Sequence, residues 1–289
     1  MTPLSLSLVL TILMLVLVAI AAGFLGSLAG LGGGVVIVPV LVVFFQVPFV
    51  DAVGASAISV LATSAATGSA YVKDRLTDLR IGMFLEIATV PGALIGATAT
   101  IFLARSNLVS LLLVGLGLVL LASVPGNLRK VREGTTGPAV PDDRSKRLGL
   151  SGSYFDLHLH REVPYNAGRT TPALGVMFAA GLVSGLFGIG SGVLKVQALE
   201  RYLGLPIKVA TATSNFMIGV TVAATSGVLL SAGYIDPVIA APVALGTAAG
   251  SFVGSWLFPG LSSRVVQGVF LTILIVLAVE IILRGLGLA

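Results

Sequence analysis

The chain has 289 residues, 56% of them hydrophobic and only 10% charged, against about a quarter charged in an ordinary soluble domain, so a soluble globular protein is excluded. Cysteine is absent, which excludes disulfides, thiolate metal sites and cysteine nucleophiles. The net charge of +5 is carried by Lys and Arg in loops between apolar runs, where it reads as a topology signal rather than a nucleic-acid surface.

The first apolar run, Leu4 to Phe45, follows an N-terminus without a positive n-region or a clear small-residue cleavage site, so it reads as a retained membrane segment. Within it, "GLGGGVVIVP" at 30–39 sets four glycines and a proline in a hydrophobic stretch. Glycine costs about 1 kcal/mol in a helix interior and proline about 3. The residues that follow, 35–45, span only ~16 Å as a helix, about half a bilayer. Either the helix breaks at mid-depth and continues across, or the chain turns back as a re-entrant hairpin. Both need the exposed backbone to be buried in protein or to line a cavity. The runs Val53 to Val72, Ile81 to Ala104 and Leu108 to Val124 come next, and several apolar runs reach the roughly 20 residues that cross ~30 Å of hydrocarbon. Glu86, an acid inside the second of these, is a coupling candidate or faces a polar crevice.

Residues 125–170 are polar and hold eight of the 17 Lys and Arg residues. They read as a linker in which most of the turn-rich stretch "SVPGNLRKVREGTTGPAVPDD" is mobile, while "SYFDLHLHREVPY" alternates enough for a short strand. Asp156, His158 and His160 could bind a metal there, but without a second ligand group they read as solvated loop. The second half then repeats the pattern, with runs Ala173 to Leu194, Val209 to Leu230, Val238 to Phe258 and Val265 to Leu283.

Sliding the second half back by 158 positions lays Gly181, Leu186, Gly188, Gly190, Gly192, Val193 and Val196 on Gly23, Leu28, Gly30, Gly32, Gly34, Val35 and Val38. Pro206, Ser214, Thr221, Thr225 and Asp236 fall on Pro48, Ser56, Thr63, Thr67 and Asp78 without a gap. The glycine stretch thus occurs twice, the second time as "GIGSGVLKVQ". Lys and Arg placement favours the hairpin alternative, because a single crossing would move four positive residues outside. The repeats are then inverted, with both termini outside and the linker cytoplasmic. The expected fold is an all-α polytopic membrane protein of two homologous repeats, 1–124 and 171–289, each with a glycine-broken or re-entrant helix pair and about three full transmembrane helices.

Neither glycine cluster has the spacing of a nucleotide-binding loop, since Val35 and Val193 occupy the last glycine position. An intramembrane serine protease built on Ser191 lacks a base, because the only histidines lie in the linker. Half-helix N-termini near the midplane instead suit an anion, through free N–H groups and the helix dipole. Close packing through small residues is the plainer alternative for the glycines. Lys195 favours function: it aligns with Ile37, sits four residues after Ser191 on one expected helical face, and is costly in a bilayer unless used. Glu86 is its nearest acid by depth. Gln197 shares the local polarity, and Ser56, Thr213, Ser214 and Asn215 can donate to an oxyanion or bond between helices. Glu280 with Arg284 reads as an end-of-helix pair.

The stretches "GFLGSLAGLGGGVVIVPVL", "GASAISVLATS", "GLVSGLFGIGSGVLKVQAL" and "TATSNFMIGVTVAATSG" resemble the TauE/SafE family of membrane exporters for sulfite and organosulfonate anions. The resemblance covers nearly all of both halves. It implies an inner-membrane protein of bacterial or archaeal type whose path is lined by Gly32 to Gly34, Ser56, Gly190 to Gly192 and Thr213 to Asn215. Two departures, "GSGVLKVQ" with Ser191, Lys195 and Gln197, and "GASAIS", bear on which anion is carried. The expected function is a secondary transporter, not an enzyme, exporting a small sulfur-containing anion held at half-helix N-termini near Lys195. An anion channel, or an uptake permease for another small anion, is the alternative. No cofactor, metal or nucleic acid is expected; the expected partners are the anion, the bilayer, a coupling proton or sodium ion and a second copy in a homodimer.

Overall fold

The computed structural model describes residues 6–29, 33–73, 76–129, 140–156, 161–257 and 263–288. The first half runs α1 (Leu6–Ala29), α2 (Gly34–Val43), α3 (Phe49–Lys73), α4 (Leu79–Arg105) and α5 (Val109–Arg129). A short helix α6 (Asp143–Leu148) and the strands β1 (Ser151–Asp156) and β2 (Arg161–Asn166) follow. The second half runs α7 (Thr170–Phe187), α8 (Gly192–Arg201), α9 (Ile207–Ser231), α10 (Pro237–Leu257) and α11 (Ser263–Gly285). Among the described residues, six helices, α1, α3, α4, α7, α9 and α10, are long and apolar enough to cross a membrane. Large apolar side chains such as Leu13, Met83, Ile87, Phe102 and Leu245 stand exposed on them, as a lipid solvent permits.

The first apolar run of each half divides into a long helix and a ten-residue one, α2 and α8, which begin 158 positions apart at Gly34 and Gly192. Helices α3 and α9 also begin 158 apart and are each 25 residues long.

The tightest seams join the two halves. Glycines of α10 lie on the backbone of α1: a Cβ on Gly250 would strike the carbonyl of Ile20, and one on Gly254 would meet that of Phe24. Glycines of α4 and α7 interlock likewise, Gly92 on Phe178, Gly96 on Leu182 and Gly185 on Ala93. Both pairs are parallel, because residue numbers rise together along each seam. Without a hydrophobic driving force between helices in lipid, such close backbone approach through small residues supplies the association.

The contacts also fix direction. Asp78 meets Thr213 and Glu86 meets Thr221, so α4 and α9 are parallel. Ser64 meets Asn215 while Val60 and Ile218 flank Gly190, so α3 and α9 are antiparallel. Helix α10 reverses from α9 through the turn 232–236 and has its start beside Gly54 of α3. Thus α1, α3 and α10 run one way, and α4, α7 and α9 the other. Since α1 and α3 share a direction, α2 carries the chain back between them, and α8 does the same between α7 and α9. Gly34 lies against Ser56 and Val60, well inside α3, so the N-terminus of α2 is at mid-depth. Its C-terminus is capped: Arg284 donates to the carbonyls of Val42 and Val43 at 3.2 and 3.0 Å, while Glu280 holds the guanidinium at 3.5 Å.

The later part of the linker is ordered. Its strand-like stretch forms an antiparallel hairpin pairing Ser151 with Asn166 and Asp156 with Arg161, the one departure from helix among the described elements. Residues 130–139, part of the stretch expected to be mobile, lie outside the described residues, as do His158 and His160. Buried Tyr154 and Tyr165 carry the hairpin onto a core with Ile81 and Leu85 of α4, Met177 of α7, Leu199 of α8 and Val209 of α9. The hairpin therefore covers the ends of the helices around α8.

Candidate functional site

Two left-handed residues start the short helices. Gly33 (φ 75°) precedes α2, and Ser191 (φ 44°), its counterpart 158 positions on, precedes α8. Glycine adopts this region freely, whereas serine does so at a cost. The Ser191 hydroxyl does not cap its own helix but donates to the carbonyl of Ala180 in α7.

The two helix starts converge. Ser56 donates to the carbonyl of Gly188 at 2.9 Å and to that of Gly34 at 3.4 Å, so one hydroxyl joins both glycine turns. A Cβ on Gly34 would lie 3.1 Å from the Gly188 carbonyl and 2.9 Å from the Ser56 hydroxyl, so only glycine lets the turns meet. In the other half Ser214 reaches the Gly192 carbonyl at 3.5 Å. Gly190 (φ 71°) packs on Val60 and Ile218.

A mostly apolar cavity of about 120 Å³ borders the start of α8, lined chiefly by Val35, Val119, Leu120 and Val183, with Ser123, Ser191, Gly192 and Gln197 also among its lining residues. It is far roomier than the ~10–15 Å³ one water needs.

Lys195 does not line this cavity. It is wholly buried, and its ammonium donates to the Met217 carbonyl at 3.1 Å and to the Thr221 hydroxyl at 2.5 Å. Thr221 Oγ1 in turn lies 3.1 and 3.2 Å from the two carboxylate oxygens of Glu86. The lysine sits one turn into α8, but helical side chains lean toward their own N-terminus, which returns the ammonium toward the helix start at mid-depth. Ser191 and Lys195 therefore do not share a face as the four-residue spacing suggests. Ser191 has left the helical conformation, so its side chain turns to α7 while Lys195 turns to α9 and α4.

The structure also separates the serine and threonine candidates. Thr213 accepts a 3.0 Å bond from the Asp78 backbone at the linker-side end of α4. The Asn215 carbonyl takes a 2.5 Å bond from Ser64. Gln197 faces the cavity, and Gly32 lies outside the described residues. Thr221, which mediates between the two buried charges, is not among the site residues singled out from the sequence. Its signal was present: it lies seven residues after Ser214 on one face of α9, in an apolar helix facing both Glu86 and Lys195.

Residues 15–281 match the family model described as "Sulfite exporter TauE/SafE". Among curated proteins, the chain is 28% identical over 279 residues to the probable membrane transporter protein YunE of Bacillus subtilis (strain 168), covering 92% of this chain and 95% of the relative. It is 26% identical over 267 residues to the probable membrane transporter protein YdhB of the same organism, covering 91% of this chain and 96% of that protein. No solved structure matches.

Proposed function

The chain belongs to the TauE/SafE family of multi-pass membrane transporters, and from that premise we propose that it is a secondary transporter exporting a small sulfur-containing anion such as sulfite or a sulfonate. The anion sits where α2 and α8 start, with backbone N–H groups of Gly192 and Val193, the polar side chains of Ser191 and Gln197, and the charge of Lys195 behind them. The observation that carries this reading is the convergence of two mid-depth helix N-termini beside a cavity, with a buried ammonium one turn away. Free N–H groups and the positive ends of two dipoles favour an anion and give no purchase to a cation.

The two halves are read as inverted repeats, supported by the 158-residue spacing of their helices and by the opposite directions of α1 and α7. Their movement exchanges partners: the glycine seams couple α1 to α10 and α4 to α7, so the bodies that rock against one another each borrow a helix from the other half. With positive-inside placement of Arg80, Arg201 and Lys208, the hairpin side is cytoplasmic.

Purified protein in phosphatidylethanolamine–phosphatidylglycerol liposomes tests the reading, with efflux of sulfite, sulfate, thiosulfate, taurine and sulfoacetate measured for wild type and Lys195→Ala. Flux of at least one anion that falls tenfold or more in the variant is expected. Unchanged flux would remove Lys195 from the mechanism, and flux that no ion gradient drives uphill would make the protein a channel.

A further inference from the structure

Resting on the anion-transport reading above, we propose that Glu86, Thr221 and Lys195 form a proton-controlled charge gate. With Glu86 ionised, its carboxylate neutralises Lys195 through the Thr221 hydroxyl; protonation of Glu86 releases that charge to the anion, so a proton moves together with each anion.

The three groups come from three helices, α4, α9 and α8, and meet at mid-depth, where both charged side chains are buried. Glu86 and Lys195 are the only charged residues in the interiors of the packed helices α3, α4, α5, α7, α8 and α9. The others on these elements stand at helix ends: Asp51 and Lys73 on α3, Arg80 and Arg105 on α4, Arg129 on α5, Glu200 and Arg201 on α8, and Lys208 on α9, while Asp78 and Arg169 cap α4 and α7. The buried pair therefore sets the local charge, which is zero when both are ionised.

Thr221 gives the arrangement two states because its hydroxyl has one proton and three neighbours. It accepts from Lys195, and its own proton goes either to Glu86 or to the Met217 carbonyl at 2.7 Å. An ionised Glu86 only accepts, so the Thr221 proton points to it, and the chain reads ammonium to hydroxyl to carboxylate. When a hydronium ion gives its proton to a Glu86 oxygen, an O–H bond forms, water leaves, and the carboxyl becomes a donor. The Thr221 oxygen then accepts from Glu86, and its proton turns to Met217. The trio now carries one unit of positive charge on Lys195, one turn into the helix whose start borders the cavity. A buried charge without a counter-ion is costly, and an anion at that helix start supplies one. Lys195 also keeps a third N–H beyond the two used here. Thr221 is a positioning residue in this scheme, and Glu86 carries the proton.

The test uses the full chain in liposomes loaded with a pH-sensitive dye, and sulfate, thiosulfate and sulfoacetate as probes, since all three stay fully ionised near neutral pH. Wild type is expected to acidify the lumen as the anion enters and to transport faster as external pH falls from 8 to 6. Glu86→Gln, a neutral isostere of the protonated acid, should lose at least tenfold of the proton movement per anion transported and most of the pH dependence. Thr221→Val should weaken the coupling, and Thr221→Ser should restore it. If wild type moves the anion without protons, or if Glu86→Gln keeps the proton movement of wild type, the gate is overturned while transport stands. If wild type moves none of the anions, the transport reading fails and the gate with it. Should Glu86→Gln not fold, the wild-type proton measurement and the valine and serine pair decide.

Discussion

The Tyr165 hydroxyl donates to Asp78 at 2.9 Å, while the other oxygen of the same carboxylate caps α4 by accepting from Ile81 N at 3.0 Å. The Asp78 backbone N–H also donates to Thr213 of α9, so one residue fastens the hairpin, α4 and α9 together on the linker side.

Tyr165→Phe should therefore lower the melting stability in detergent by about 1.5–3 kcal/mol, the range for a hydrogen bond to a charged group. Asp78→Ala should cost more, since it also removes the cap, worth about 0.5–2 kcal/mol. Burial and then the Asp78 charge push the Tyr165 hydroxyl above the usual tyrosine range. The folded state thus holds this proton more tightly than the unfolded state. The resulting stability is fully present below about pH 10, where unfolded tyrosine ionises, and is lost as pH rises further. Melts of wild type and Tyr165→Phe should differ most below that point and converge above it; a gap that widens with pH would contradict the assignment.

Ser191 holds a left-handed backbone at φ 44° for the sake of one hydroxyl. Ser191→Gly exchanges the hydrogen bond for a relaxed backbone and should change stability by no more than about 1 kcal/mol. Ser191→Val should be far worse, because a β-branched side chain suits this region least. Thermal unfolding of the two variants checks the order.

Lys195 and Glu86 should behave as a unit. Removing either charge alone strands the other in the interior, a loss on the order of 3–5 kcal/mol, whereas a paired replacement by Lys195→Met and Glu86→Gln leaves no stranded charge. The double variant should be more stable than the sum of the single changes allows. Additive losses in a double-mutant cycle would mean the two groups do not interact.

The seams can be tested against open positions in the same chain. Gly185→Ala would drive a methyl into the Ala93 carbonyl, and Gly250→Ala one into that of Ile20, so both should sharply reduce folded yield. Gly175→Ala and Gly227→Ala meet nothing within 4 Å and should be neutral or stabilising by up to about 1 kcal/mol. Size-exclusion profiles in detergent distinguish the two groups.

Much of the fold could be read from residue spacing. The apolar runs gave the long helices, the glycine clusters marked the starts of α2 and α8, and the lysine and arginine placement favoured a chain that returns, as the shared direction of α1 and α3 requires. The site was less legible. The four-residue spacing of Ser191 and Lys195 predicts a common face only if both residues are helical, and a left-handed backbone at Ser191 breaks that premise. Thr221 stands out in the sequence only as the repeat partner of Thr63, because a threonine in a membrane helix usually bonds its own preceding carbonyl, as this one also does with Met217; its second role depends on which helix lies opposite. The hairpin's packing was hidden for a similar reason, since Tyr154 and Tyr165 find their core on α4, some 70 to 85 positions earlier, and on α7, α8 and α9, which come later in the chain.

The crossing seams also set an order of assembly. Helix α4 has its partner α7 soon after the linker is made, but eight helices separate α1 from its partner α10. The face of α1 that receives Gly246, Gly250 and Gly254 can be closed only once α10 has been made. The protein thus reaches its final packing late, and a truncation that spares the whole first half would still leave α1 without a place to dock.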